Sequence, residues 1–297
     1  GDELRSLGQA LESGCIYDSN RYSLTGLLNR LNIEIVDCGI VRDDPASLKA
    51  AFLDAASKAD VLISSGGVSV GEADFTKQIM QELGDVGFWK IAMRPGRPMA
   101  FGMLKPVDES GSKTLFFGLP GNPVAVMVTF YQFVRSALLQ LNGASQTEPQ
   151  MTQAIAEAPI RKKPGRTEFQ RAIVKRGPDG KPTVKLTGSQ GAGILRSMSE
   201  ANCFVILPHD QGNVATGDWV DVALFDGLLS GNGGGEVRAL FDAMPSRFVP
   251  SAAVGLSAVY QYELSGAESG TWAVIVADGT CRVQEGPHPS PDCRIAI

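Results

Sequence analysis

The sequence predicts an α/β three-layer domain, then a small all-β barrel-like domain, then a partial α+β segment. Three observations carry this. Across residues 1–145 helical and strand-like patterns alternate, as in a sheet covered by helices. Across 146–229 the pattern breaks into short alternating pieces punctuated by Pro178-Asp179-Gly180 and Thr216-Gly217-Asp218, as in a small antiparallel β domain or barrel. Ser230-Gly231-Asn232-Gly233-Gly234-Gly235 has the composition of a linker and separates residues 236–297 from the rest.

Element by element, Leu24, Leu27, Leu28 and Leu31 have helical spacing, and Ile33–Asp37 reads as a strand. Asp44-Pro45 opens a helix to Ala59, with a capping carboxylate followed by a first-turn proline. Strands are expected over 59–64, 89–92, 98–103 and 113–117, and helices over 75–83 and 123–141, the last stopped by Gly143. Such alternation implies a largely parallel sheet, in which ligands sit at the carboxyl ends of the strands. The barrel-like part shows strands at 169–174, 183–186, 203–207 and 219–223. After the linker come a helix at 236–244 and strands at 258–264 and 272–277. Asp278-Gly279 marks a hairpin turn, and 281–285 and 294–297 continue the meander.

The bulk composition restricts the function. A chain of 297 residues suggests two or three domains, and 43% hydrophobic with 20% charged residues is ordinary for a soluble globular protein. The net charge of −5 leaves no basic footprint for nucleic acid, so an anionic ligand has to be met by local groups. The five cysteines are scattered, odd in number and without a C-x-x-C pair, and there are two histidines. That argues against a zinc site or a disulfide framework and fits a cytoplasmic protein. The apolar stretch Val124–Val134 is too short to span a bilayer and contains Gln132. The start at Gly1 and the strand-like end at Cys293–Ile297 suggest a piece of a longer protein.

Two loops and a turn hold the candidate chemistry. In Ile63-Ser64-Ser65-Gly66-Gly67-Val68-Ser69-Val70-Gly71-Glu72-Ala73-Asp74 a strand ends in small residues, which let a ligand approach the backbone, with acids beside them. Alone, it is equally a tight strand–helix turn; as a site it is a phosphate cradle of backbone N–H groups. Gly118-Leu119-Pro120-Gly121-Asn122-Pro123 follows a second strand and opens a helix, its prolines stiffening the path. Between them, Phe88 to Pro98 carries Lys90, Arg94 and Arg97 in a turn stiffened by Pro95 and Pro98. This is either a solvated basic loop or a set of anion donors. Asp44 caps a helix, which leaves Asp43 free. With Asp74 it could hold Mg²⁺, which takes one or two carboxylates plus substrate phosphates and would reconcile acid with phosphate.

These blocks, with Gly1-Asp2-Glu3-Leu4, Ile16-Tyr17-Asp18-Ser19-Asn20-Arg21, Arg42-Asp43-Asp44-Pro45, Pro164-Gly165-Arg166 and Phe169-Gln170-Arg171, resemble the C-terminal two-thirds of the MoeA molybdopterin molybdenumtransferases, the family that includes the gephyrin E domain. The resemblance implies a MoaB/MogA-like molybdopterin-binding α/β domain over 1–145, its first strand truncated, and a MoeA C-terminal β domain over 146–229. It implies insertion of molybdate into adenylylated molybdopterin with release of AMP, dependent on Mg²⁺. Carried over by position, Asp43, Asp74, Lys90 and Arg94 are catalytic, with Asp43 and Asp74 as metal ligands. Glu3, Ser65, Gly66, Gly67, Ser69, Gly71, Arg97, Pro120, Gly121, Asn122 and Pro123 are expected to contact substrate. Arg94 stands where the family has lysine. The family also implies a homodimer whose partner completes the site, and a MogA-like adenylyltransferase upstream. Without the family's N-terminal domains this stretch is expected to lack activity by itself. A gephyrin-like peptide-binding scaffold is the alternative.

Residues 236–297 resemble the start of a sterol-carrier-protein type lipid-binding domain. The resemblance rests on Met244-Pro245-Ser246-Arg247-Phe248, Gly255 to Tyr262 and Asp278-Gly279-Thr280-Cys281. It implies a lipid as a further partner.

Overall fold

The computed structural model describes residues 1–31, 33–68, 73–106, 112–177, 179–225, 236–248, 250–253, 255–264 and 269–296. The chain divides into two compact units, Gly1–Val174 with Pro182–Leu228, and Lys175–Lys181 with Leu229–Ile297.

The first unit opens on a short parallel pair, β1 (Leu4–Arg5) and β2 (Ile16–Tyr17). Helix α1 (Ser19–Asn29) begins where the Asp18 carboxylate accepts the Arg21 N–H at 3.2 Å. Helix α2 (Pro45–Ala56) begins where Asp44 accepts the Ser47 N–H at 2.9 Å, with Pro45 in the first turn as its fixed φ favours. Then follow β3 (Val61–Ser65), α3 (Ala73–Leu83), β4 (Gly84–Lys90), β5 (Met93–Arg94), β6 (Pro98–Leu104), β7 (Thr114–Leu119) and α4 (Pro123–Thr129). A π-helical stretch, Phe130–Val134, joins α4 to α5 (Arg135–Leu141). Just before it the Thr129 hydroxyl donates back to the Ala125 and Val126 carbonyls at 2.8 and 3.0 Å, competing with the regular ladder.

The first sheet has the order β3-β7-β6-β4. The largely parallel sheet expected from sequence is corrected here: β3–β7 is parallel, but β6–β7 and β4–β6 are antiparallel. The connections 91–97 and 105–113 are too short for a crossover, which takes a dozen residues or more. Strand β4 begins earlier than expected, at Gly84, which lets the backbone pass close; a Cβ there would run into the Met103 carbonyl. The strand expected at Ile33–Asp37 does not form. Ile33 packs on the core, yet Asp37 turns the chain aside, accepting Arg21 Nε on both oxygens at 2.7 and 2.9 Å and the Gly39 N–H at 3.0 Å. Period-two burial fixes side-chain faces but supplies no ladder partner.

The three layers follow from the pleat of β7. Phe116 faces Phe52, Ala55, Ile79 and Met80 of α2 and α3. Phe117 and Leu119 face Leu24, Val124, Val128 and Leu138 on the α1 and α4–α5 side. The helical run Pro123–Leu141, 19 residues, is long and apolar enough to cross a membrane by length and composition, but half of it is buried against this protein core.

The barrel consists of β8 (Met151–Ala156), β9 (Thr167–Arg176), β10 (Pro182–Leu186), the short helix α6 (Arg196–Ser199), β11 (Cys203–Leu207) and β12 (Trp219–Leu224). The order β10-β8-β12-β11-β9 closes through a further β9–β10 pairing. Strand β8, which was not expected from the sequence, pairs antiparallel with β12 and parallel with β10. Strand β5 adds to β9 in parallel, Met93 opposite Thr167 and Arg94 opposite Glu168, tying the cationic turn to the barrel. Tyr131 of the π-helical stretch stacks on Phe225 at 4.9 Å and meets Phe204 edge-on at 5.7 Å, so the α/β part and the barrel share one core.

In the second unit, α7 (Glu236–Arg247) and a 3₁₀ turn at Pro250–Ala253 precede β13 (Ala258–Leu264), β14 (Gly270–Ala277), β15 (Thr280–Glu285) and β16 (Cys293–Ala296). The expected hairpin forms, with Asp278 and Gly279 both at positive φ. The expected meander does not continue: β16 pairs in parallel with β13, giving the order β15-β14-β13-β16. The chain cannot fold straight back because Pro287, Pro289 and Pro291 lack the N–H a hairpin ladder requires. Asp292 then docks on β13, its N–H donating to the Val259 carbonyl at 2.9 Å and its carboxylate accepting the Val259 N–H at 2.8 Å. Phe241 of α7 stacks on Trp272 at 4.9 Å.

Cys203 is fully buried, its thiol donates to the Ala172 carbonyl at 3.2 Å, and burial pushes its pKa up to about 12. Iodoacetamide at pH 8 is expected to modify exposed Cys38 and to spare Cys203 until the protein unfolds, read by peptide mass spectrometry. Because the unfolded thiol ionises first, stability should fall as pH rises from about 9 towards about 12.

Candidate functional site

The two glycine-proline loops leave the carboxyl ends of β3 and β7. These strands are parallel, with Ser65 opposite Leu119, so both loops emerge at the same sheet edge. The ladder continues one step into the loops, the Gly66 N–H donating to the Leu119 carbonyl at 3.0 Å. Gly66 has φ +91°, a conformation that strains any residue with a Cβ. Ser65 donates its hydroxyl to the Pro120 carbonyl at 3.3 Å. Asn20, from α1, ties both sides together: its Nδ2 donates to Ser65 Oγ at 2.8 Å and to the Gly121 carbonyl at 2.7 Å. Pro120 is buried, while Gly121 and Asn122 are exposed.

A barrel loop reaches the same place. The Val124 N–H, in the first turn of α4, donates to the Ala192 carbonyl at 3.0 Å. Beside Ala192, the Gly191 carbonyl accepts from Arg171 at 3.2 Å, and Arg171 Nε donates to Ser197 Oγ at 3.1 Å. Arg171, on β9, is 1% exposed and has no carboxylate partner among the described residues. Burial, and then the charge of Arg94, pull its guanidinium down to about 10, so it stays charged near neutral pH. A buried cation with no acid is a natural counter-charge for an anion. Composition gave no hint of it; the signals in the sequence are a charged residue inside the apolar strand pattern of 169–174 and its place in the block Phe169-Gln170-Arg171.

In the cationic turn, the Ile91 N–H donates to the Arg97 carbonyl at 2.8 Å, and the Arg94–Pro95 peptide is cis. Lys90, Arg94 and Arg97 are all exposed. Arg94 NH1 lies 3.7 Å from Glu168 Oε1, and the other Glu168 oxygen accepts from Gln170 Nε2 at 2.9 Å. A guanidinium can face Glu168 with one nitrogen and leave others for a ligand, which an ammonium cannot do as readily.

Asp43 is exposed and lies against the first residues of the chain. It accepts from the Gly1 ammonium at 2.9 Å and the Asp2 N–H at 3.2 Å, and the ammonium holds its carboxyl below the usual carboxylate range. Glu3 follows, also exposed. Asp74 lies in the first turn of α3, with its side chain outside the described residues, as are Ser69 and Gly71. Among the described residues no group of three or more acids, histidines or cysteines could hold a metal ion. The geometry thus brings Ser65 and Gly66 together with Pro120 and Gly121, with Pro123 at the head of α4 beside the barrel loop. Gly67 is exposed on the first loop. A cavity of about 220 Å³ lined by Leu27, Arg30, Tyr131, Arg135 and Phe225 contains none of the expected site residues.

A loop-edged α/β domain whose strand ends meet a closed barrel defines a class, and comparison with known proteins places it. Residues 1–140 match the family described as "Probable molybdopterin binding domain", and residues 153–225 match the MoeA C-terminal region (domain IV). The molybdopterin molybdenumtransferase of Haemophilus influenzae is 43% identical over 230 residues, which cover 77% of this chain and 55% of that protein. Gephyrin of Dictyostelium discoideum is 32% identical over 252 residues, covering 75% of this chain and 35% of the relative. A crystal structure of a MoeA protein from Pyrococcus horikoshii superposes with a TM-score of 0.61 at 31% identity, covering 76% of this chain and 53% of the other. Residues 1–225 of the chain therefore belong to the MoeA molybdopterin molybdenumtransferase family. The chain spans about half the length of the curated molybdenumtransferases it matches. The family matches end at residue 225, so the sterol-carrier resemblance of 236–297 rests on its sequence motifs alone.

Gly96 has φ +100°, and a Cβ there would lie 2.7 Å from Thr129 Cγ2. Replacing it with alanine is expected to destabilise the protein by about 1–3 kcal/mol, measured by urea denaturation, because both the backbone conformation and the contact with α4 are then strained.

Proposed function

We propose that this chain carries the molybdate-insertion part of a molybdenum cofactor biosynthesis enzyme. Its substrates would be molybdate, water and adenylylated molybdopterin: water would hydrolyse the diphosphate linkage so that AMP leaves, and the pterin dithiolate would displace oxide from molybdate, the oxide leaving as water. The observation that supports this most directly is the buried, acid-free Arg171 beside Arg94, at a loop that touches the first turn of α4. The tetrahedral dianion of molybdate suits such a pair of forks. The loop amides, Lys90 and Arg97 would take the phosphates.

The carboxylate of Asp43 is exposed, and a solvent-facing carboxylate is a donor that fits a divalent ion. Asp43 and Asp74 would hold Mg²⁺, whose contribution when bound is to neutralise diphosphate charge. The residues of the chain would orient the substrate and hold its charge; no side-chain nucleophile is invoked.

The test is calorimetric titration of the chain with molybdate, followed by molybdate-dependent AMP release from adenylylated molybdopterin in a protein carrying the family's remaining domains. Arg171→Met should reduce both by about 10²-fold while pyrophosphate binding persists. Molybdate binding that survives Arg171→Met unchanged would remove the basis of the proposal.

A further inference from the structure

Asn20 lies on a helix outside both loops, and no candidate role above includes it. Both hydrogens of its amide are committed, one to Ser65 Oγ and one to the Gly121 carbonyl. The assignment of its ends is forced, since a carbonyl can only accept and the Asn20 atom facing Gly121 O must be the nitrogen. Its other end, Oδ1, is then sealed from solvent and has no hydrogen-bond partner among the described residues. A sealed, unpaired acceptor is unfavourable for stability. The arrangement therefore costs local stability and retains one contact to each loop, a hydroxyl on the first and a carbonyl on the second.

The carbonyls of the second loop explain what is gained. Pro120 O is held by Ser65, and Gly121 O by Asn20. In a planar trans peptide the C=O and the following N–H point in opposite directions. Holding Pro120 O back towards β3 turns the Gly121 N–H away from it. Holding Gly121 O towards α1 does the same for the Asn122 N–H. Both residues are exposed, and among the described residues neither amide has a partner. Two successive amides are thus aimed outward together, at the sheet edge where β3 and β7 end.

We infer that Asn20 is a positioning residue: it clips the two loops together and aims the Gly121 and Asn122 N–H groups at the diphosphate of the substrate. This rests on the function proposed above, and it assigns the phosphate-facing donors to one side chain's control. Asn20 need not touch the substrate.

Calorimetry with inorganic pyrophosphate on the full chain tests it, alongside thermal unfolding. Asn20→Ala is expected to weaken pyrophosphate about tenfold, the worth of one charge-assisted hydrogen bond, with little change in melting temperature, because the two lost hydrogen bonds and the lost unpaired acceptor offset each other. Ser65→Ala, which frees the neighbouring carbonyl, should weaken it similarly, and the double variant should fall short of the sum, since both act on one loop. Molybdate affinity should stay within about twofold of wild type in both. Unchanged pyrophosphate affinity in Asn20→Ala overturns the inference. So does a fall in melting temperature with equal losses of pyrophosphate and molybdate binding, which would mark a purely structural residue. Failure of the unaltered chain to bind either anion would instead bring down the functional proposal itself.

Discussion

Everything at the candidate site depends on the parallel pairing of β3 with β7. Two parallel neighbours end at the same sheet edge, so the loops that follow them have no choice but to meet. The Gly66–Leu119 bond extends the ladder beyond the strands, and Asn20 locks the loops one residue further out. An antiparallel pair would have sent one loop to each end. The rest of the sheet is antiparallel, and it serves mainly to present the cationic turn between β4 and β6.

The barrel is more than an appendage to this edge. Strand β5 joins β9, so the turn that holds Arg94 is fixed in register with Glu168 and lies close to Arg171. Tyr131, Phe204 and Phe225 bury aromatic surface from both parts in one cluster, which makes independent motion of the α/β part and the barrel unfavourable. A buried guanidinium without an acid is tolerable only where surrounding carbonyls and hydroxyls orient it, as Gly191 and Ser197 do here.

Much of this was legible in advance. Asp44-Pro45 announced the start of α2, Asp278-Gly279 announced its hairpin, and the glycine-proline loops announced turns at the ends of two strands, because each signal is local and sterically determined. The misses have a common cause. Ile33–Asp37 has the alternation of a strand but no neighbour to pair with, and Asp37 bonds to Arg21 instead. Strand β8 is short and follows a linker-like stretch, yet it pairs on both sides within the barrel. The polarity of the first sheet and the edge taken by β16 are choices of partner, which no residue encodes by itself.

The sequence alone determined the alternation of elements, the caps, the turns and the residue types at the two loops, since these follow from side-chain periodicity and backbone sterics within a few residues. Only the tertiary structure decided that Ser65, Gly121 and Asn20 form one clip, and that Arg171 is buried beside Arg94. Those contacts join residues far apart in the chain, and whether a polar group is buried or solvated depends on what packs over it.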